Sequence, residues 1–119
     1  MKIKTEDYNI WYDAAAKAVI CQGSLRLSGR EECALIVQLL DDVVVQQPPI
    51  ITMNLQELKF INSSGINVLS KFVIKVREQK NMQLVVQGCT NIPWQGKSLK
   101  NLQRLMPSLQ LEWEYSNPI

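Results

Sequence analysis

The stretch FINSSGINVLSKFVIKV, residues 60–76, sets two adjacent serines and a glycine between an apolar segment and a helical pattern. Ile66, Leu69, Val73 and Val76 recur at helical spacing, while Asn67, Lys71, Lys75 and Glu78 fall on the other side. That periodicity predicts an amphipathic helix from about residue 64 to about residue 79. Just upstream, IITMNL (residues 50–55) follows the break at Pro48 and Pro49 and reads as a short buried strand. The serines therefore fall where a strand gives way to a helix. Such a helix start presents backbone N–H groups without intrahelical partners, and with the macrodipole they favour an anion. A serine hydroxyl there can cap the helix. It can equally be phosphorylated, adding a charge of about −1.5 to −2 where the dipole tolerates it. Gly65 allows the backbone a close approach to a neighbour. Taken alone, the tripeptide favours the capping role.

Working outward, the segments around residues 8–12 and 18–27 read as two strands joined by a turn at DAAAK, with a bend at Gly23. Ser28 and Glu31 have the spacing of a capping box, and Cys33, Ile36, Leu39, Leu40 and Val43 continue as a helix of about four turns. MQLVVQG is a further buried strand ending at Gly88, and Leu99, Leu102, Leu105 and Met106 mark a third amphipathic helix. Lys97, Lys100 and Arg104 form the solvated face of that helix. LQLEWEY, residues 109–115, alternates as an edge strand does. Two strands followed by alternating helices and strands predict one α/β domain over residues 1–119. Its mixed sheet has parallel core strands, an N-terminal antiparallel hairpin and helices packed on the sheet.

Composition narrows the function. Thirteen basic and eleven acidic residues give a net charge of +2, without the dense basic stripe that nucleic-acid binding requires. The chain contains no histidine, which excludes Ser-His-Asp and Cys-His catalysis and most zinc sites. Cys21, Cys33 and Cys89 are three in number, widely spaced, and form no C-x-x-C pair, so reduced and mostly buried thiols are expected. No P-loop or metal motif is present, and no catalytic residue, cofactor or metal is expected. The N-terminal segment lacks a signal-peptide pattern, and no apolar run approaches the roughly 20 residues of a membrane span. A cytoplasmic protein is the expectation. Trp11, Trp94 and Trp113 read as core or rim packing, Trp94 from a loop within reach of a partner.

Residues 50–88 resemble the STAS domain, the module of anti-sigma factor antagonists and of the cytoplasmic part of sulfate transporters. Asn54, Leu55, Leu58, Phe60, Ile61, Ser63, Ser64, Gly65, Ile66 and Leu69 stand at the intervals of its D-L-x-x-L-x-F-I/M-D-S-S-G stretch. GSLRL, residues 23–27, is similar to its G-E-L-D turn. The resemblance implies a non-enzymatic, partner-switching module. A serine kinase resembling an anti-sigma factor would phosphorylate Ser63, with Ser64 as second choice, and thereby be released; a phosphatase would reverse the step. It also implies a partner surface of Gly23, Ser24, Arg26, Asn62, Ser63, Ser64, Gly65, Ile66 and Asn67. Asn62 stands where the family has aspartate, and Ser24 and Arg26 replace its acidic pair. Arg26 could hold a phosphate by a charge-assisted pair, or the altered rim could suit another kind of partner. The alternative is a STAS-like adaptor that binds a protein or small ligand without being phosphorylated.

Overall fold

The computed structural model describes residues 2–115. The elements run β1 (Lys2–Lys4), β2 (Tyr8–Asp13), β3 (Ala18–Leu25), α1 (Arg30–Val45), β4 (Ile50–Ile61), α2 (Ser63–Glu78), β5 (Gln83–Cys89), α3 (Gln95–Leu105) and β6 (Gln110–Glu114). They build a six-stranded sheet in sequential order, antiparallel from β1 to β3 and parallel from β3 to β6. The expected α/β architecture is the one observed. Each of the three crossovers steps to the next strand in the same direction. Right-handed connections then put all three helices on one face, where α1 packs on α2 and α2 on α3.

Alternation along the strands divides the sheet cleanly. Ile10, Val19, Cys21, Met53, Leu84 and Val86 point under the helices and are buried. There they meet Ile36, Leu40 and Val43 of α1, Leu69, Phe72 and Val73 of α2, and Leu99 and Leu102 of α3 in one continuous core. Burial pushes the Cys21 thiol up to about 12, so it stays protonated. Cys33 and Cys89 are half-buried free thiols. On the opposite face Asn9, Trp11, Ile20, Gln22, Thr52, Asn54 and Gln87 remain partly exposed, with no helix over them.

Several local expectations are corrected. The capping box of Ser28 and Glu31 does not form: Gly29 is the N-cap, at φ 80°, and has no side chain to offer. Glu32, three residues on, reaches back instead, its Oε1 accepting from the Ser28 N–H at 2.8 Å and its Oε2 from the Tyr8 hydroxyl at 3.0 Å. The same carboxylate thus starts α1 and ties it to β2. Gly23 does not end its strand. It lies within β3 at φ 96°, where a Cβ would stand 2.3 Å from the Asp7 carbonyl oxygen. β1 escaped the sequence reading, being three residues long with two lysines.

β4 is the largest departure, running twelve residues rather than six. Its alternation is interrupted by two register shifts against β3, where β4 carries the extra residues, and this hides the strand character of residues 56–61. β4 also outruns β5, which pairs with it only from Ile50 to Asn54. The carbonyls beyond that point need other partners. Gln95, fully buried at the start of α3, supplies them: its Nε2 donates to the Leu55 oxygen at 2.7 Å and to the Leu58 oxygen at 3.3 Å. Its Oε1 accepts from the Cys89 N–H at 2.7 Å. The Trp94 indole N–H adds a bond to Leu58 at 3.0 Å, so Trp94 serves as rim packing with a fixed polar end.

Gln95→Leu preserves the volume but strands the Leu55 oxygen and the Cys89 N–H. Urea unfolding should show a loss of about 2–4 kcal/mol. A loss below about 0.5 kcal/mol, the range of an ordinary surface change, would contradict the clamp.

Candidate functional site

The end of β4 delivers Asn62 to the start of α2, and Asn62 caps that helix in place of either serine. Its Oδ1 accepts from the Gly65 N–H at 2.9 Å. Its Nδ2 donates to the Leu27 oxygen at 2.9 Å, and its own N–H donates to the Leu25 oxygen at 3.1 Å. The Asn62 carbonyl accepts the first helical bond, from Ile66, at 2.9 Å. One residue therefore joins the ends of β3 and β4 to the head of α2. An aspartate here could still cap, but its carboxylate has no hydrogen to give to Leu27. The asparagine makes a bond that an aspartate cannot.

Because Asn62 does the capping, neither serine is needed for it. Ser63, the first residue of α2, is exposed, and Ser64 is half-buried. Gly65 is buried, and its missing Cβ would lie 2.6 Å from Ile61 Cγ1 and 3.3 Å from the Leu25 oxygen. Its close approach is thus made within the chain. Ile66 is half-buried against the core, and Asn67 is exposed one position beyond.

The electrostatics favour an anion at this corner. The first turn of α2 holds no acidic side chain, whereas its last turn carries Lys75 and Arg77. Basic residues complement the negative end of the dipole, and no acidic side chain in the first turn offsets the positive end. α1 is the contrast, with Glu31 and Glu32 in its first turn. The pairing of Ser24 with Phe60 and of Leu25 with Ile61 brings the end of β3 to the same corner. There the Arg26 guanidinium lies 4.4 Å from the centroid of the Phe60 ring, which is 40% exposed.

Ser24, Arg26, Asn62, Ser63, Ser64, Gly65, Ile66 and Asn67 therefore share one end of the sheet. Gly23 lies a step away, between Tyr8 of β2 and Leu58 of β4. Phe60 belongs to the exposed rim and had not been singled out as a surface residue. Its signal was the conflict between a large apolar side chain and the polar run QELK before it. Gln95, which with Trp94 holds the tail of β4 from the far side, left no such trace, because the partners of its amide are backbone groups.

No protein-family model matches this sequence, and no curated protein does. Among solved structures, the chain is similar to one in the crystal structure of the diguanylate cyclase SiaD in complex with its activator SiaC from Pseudomonas aeruginosa. The TM-score is 0.74 over 98% of this chain and 99% of that one, at 12% sequence identity. The likeness is one of fold. It shows that the described topology, with nothing large added or missing, recurs in a protein known to take part in a complex.

Replacing Asn62 separates the two jobs of its amide. Asn62→Ala removes the cap and the Leu27 bond together and should cost about 1–3 kcal/mol in chemical denaturation. Asn62→Asp keeps the cap and should fall between the alanine variant and the parent. An aspartate variant as stable as the parent would remove the Leu27 bond from the account.

Proposed function

We propose that the chain is a non-enzymatic, STAS-like protein-binding module whose partner contact is switched by phosphorylation of Ser63, with Ser64 as the second choice. One observation carries this reading. The exposed Ser63 hydroxyl sits on an uncompensated helix N-terminus while Asn62, beside it, performs the capping that a serine would otherwise be needed for. Modification of Ser63 therefore costs the fold no cap. The new dianion would lie where free N–H groups and the dipole accept it.

The consequence for a partner is opposite in sign. A partner seated on Ser63, Asn67 and the Arg26–Phe60 rim must desolvate whatever stands at position 63, and a doubly charged group resists that far more than a hydroxyl. The phosphate displaces the partner while the domain stays folded. A serine kinase resembling an anti-sigma factor would bind the unmodified form and act on it, and a phosphatase would restore that form. The cytoplasm, where such partners reside, is the proposed compartment. In support of protein binding, the matched fold comes from a complex in which one protein activates another. The second reading, an unphosphorylated adaptor, is favoured by the exposed Phe60 ring with Arg26 over it, a pairing of the two residue types that often anchor interfaces.

Affinity capture from the native host with the parent, Ser63→Ala and Ser63→Asp distinguishes the readings. The switch requires phosphate on the parent at residue 63, none there on the alanine variant, and at least about tenfold weaker partner binding by the aspartate variant, ~1.4 kcal/mol. Equal capture by all three, with no phosphopeptide spanning Ser63, would leave the adaptor.

A further inference from the structure

Parallel strands are nearly always covered on both faces. Here four parallel strands, β3 to β6, are covered on one. The open face presents Trp11, Ile20, Thr52 and Val85 among uncharged amides, and the pairing register sorts its side chains into rows. Lys2 stands opposite Trp11, then Ile20, Asn54, Gln87 and Glu112 follow across the sheet in a single row. The next row on this face runs from Lys4 through Asn9 and Gln22 to Glu57, and ends with Cys89 and Glu114.

Charge in these rows stands at the two edges, lysines on β1 and glutamates on β6, all four exposed, with Glu57 of β4 the one charge between them. Their orientation is fixed by neighbours on the same face. Lys2 Nζ lies 5.5 Å from the Trp11 ring centroid, and Gln87 Nε2 donates to Glu112 Oε1 at 3.1 Å. Asp13, Glu57 and Lys59 are the other charges on or beside this face. Asp13 accepts from the Ala15 and Ala16 N–H groups in the hairpin turn, and Glu57 pairs with Lys59 at 3.2 Å.

We propose that a second copy of this chain covers the open face, related by a twofold axis parallel to the strands and lying between β3 and β4. Rotation about that axis turns the face over and exchanges β1 with β6 while leaving height along the strands unchanged. Lys2 then meets Glu112 of the other copy, and Lys4 meets Glu114, with the same two contacts repeated at the opposite edge. The alternative in-plane axis, perpendicular to the strands, would set β1 on β1 and β6 on β6, lysine against lysine and glutamate against glutamate. The edge charges select between the two. The resulting contact is isologous and closed, with Ile20 set against Asn54, Trp11 against Gln87 and Val85 against Asp13 of the other copy.

Size sets the strength. Strands about 4.8 Å apart and a rise of about 3.3 Å per residue give the face roughly 400–500 Å² per copy. The total is near the lower bound for specific interfaces, so the dimer is a weak one. The Ser63 hydroxyl belongs to the head of α2, on the helical side, and dimerisation leaves it free.

Sedimentation equilibrium of the full chain at tens of micromolar and low salt should give a mass rising toward twice the 13.6 kDa of one chain. The double variants K2E/K4E and E112K/E114K should each stay monomeric, with dissociation constants raised at least about tenfold. Mixing them in equal amounts should restore the dimer, because both junctions then join opposite charges. Ile20→Arg should abolish it, and added salt should weaken it. Circular dichroism confirms that each variant is folded. A parent that stays monomeric throughout, double variants that associate as well as the parent, or a mixture that stays monomeric would each overturn the proposal. So would masses that climb beyond two, the mark of edge-to-edge growth through β1 and β6.

Discussion

Four hydrogen bonds converge on Asn62, and the geometry of the surrounding corner depends on them. Through its N–H and its amide nitrogen it holds the main chain of residues 25 and 27, and through its two oxygens it starts α2. β4 has by then passed the end of β5 and is steadied from the other side by Gln95 and Trp94. Without Gln95 and Trp94 the Leu55 and Leu58 carbonyls, on the side of β4 that β5 no longer covers, would be left without a partner. With them, the strand end and the helix start become one rigid junction. The exposed Ser63 sits at its tip.

That arrangement separates the fold's need from that of the proposed switch. A cap must be short, polar and held in one rotamer, whereas a modifiable hydroxyl must be exposed and free of structural bonds. Placing the first task on Asn62 and the second on Ser63 lets each residue meet one demand. The neutral amide matters here. An aspartate would place a negative charge beside the proposed phosphorylation site, and would repel the Leu27 oxygen that Asn62 binds. Asparagine at position 62, which in the sequence differs from the aspartate of the STAS pattern it resembles, gives the corner one bond more than aspartate could.

Much of this was legible in the residue order. Leu69, Val73 and Val76 reported the buried face of α2 by their spacing, and Asn67, Lys71 and Glu78 its exposed one. Lys75 was read on the same polar side, and it reaches across to Asp41 of α1. What sequence could not show were features set by tertiary pairing. The bulges in β4 disguise its second half because alternation breaks wherever an extra residue enters. Glu32 displaces Glu31 as the reaching side chain because Tyr8, distant in sequence, needs an acceptor. Gln95 resembles any loop glutamine until Leu55, forty residues away in the chain, is placed beneath it. The serine cap was the natural reading of the tripeptide, and only the position of Leu25 and Leu27 shows why Asn62 takes that role.

The most direct measurement is the unfolding free energy of the chain carrying phosphoserine at position 63, compared with the unmodified chain under the same conditions. A dianion at the bare N-terminus of α2, with Asn62 still capping, should leave stability unchanged or raise it by up to about 1 kcal/mol, the gain shrinking with added salt. A loss of more than about 1 kcal/mol would mean that the corner cannot carry the charge without yielding. The separation of fold from switch would then be wrong.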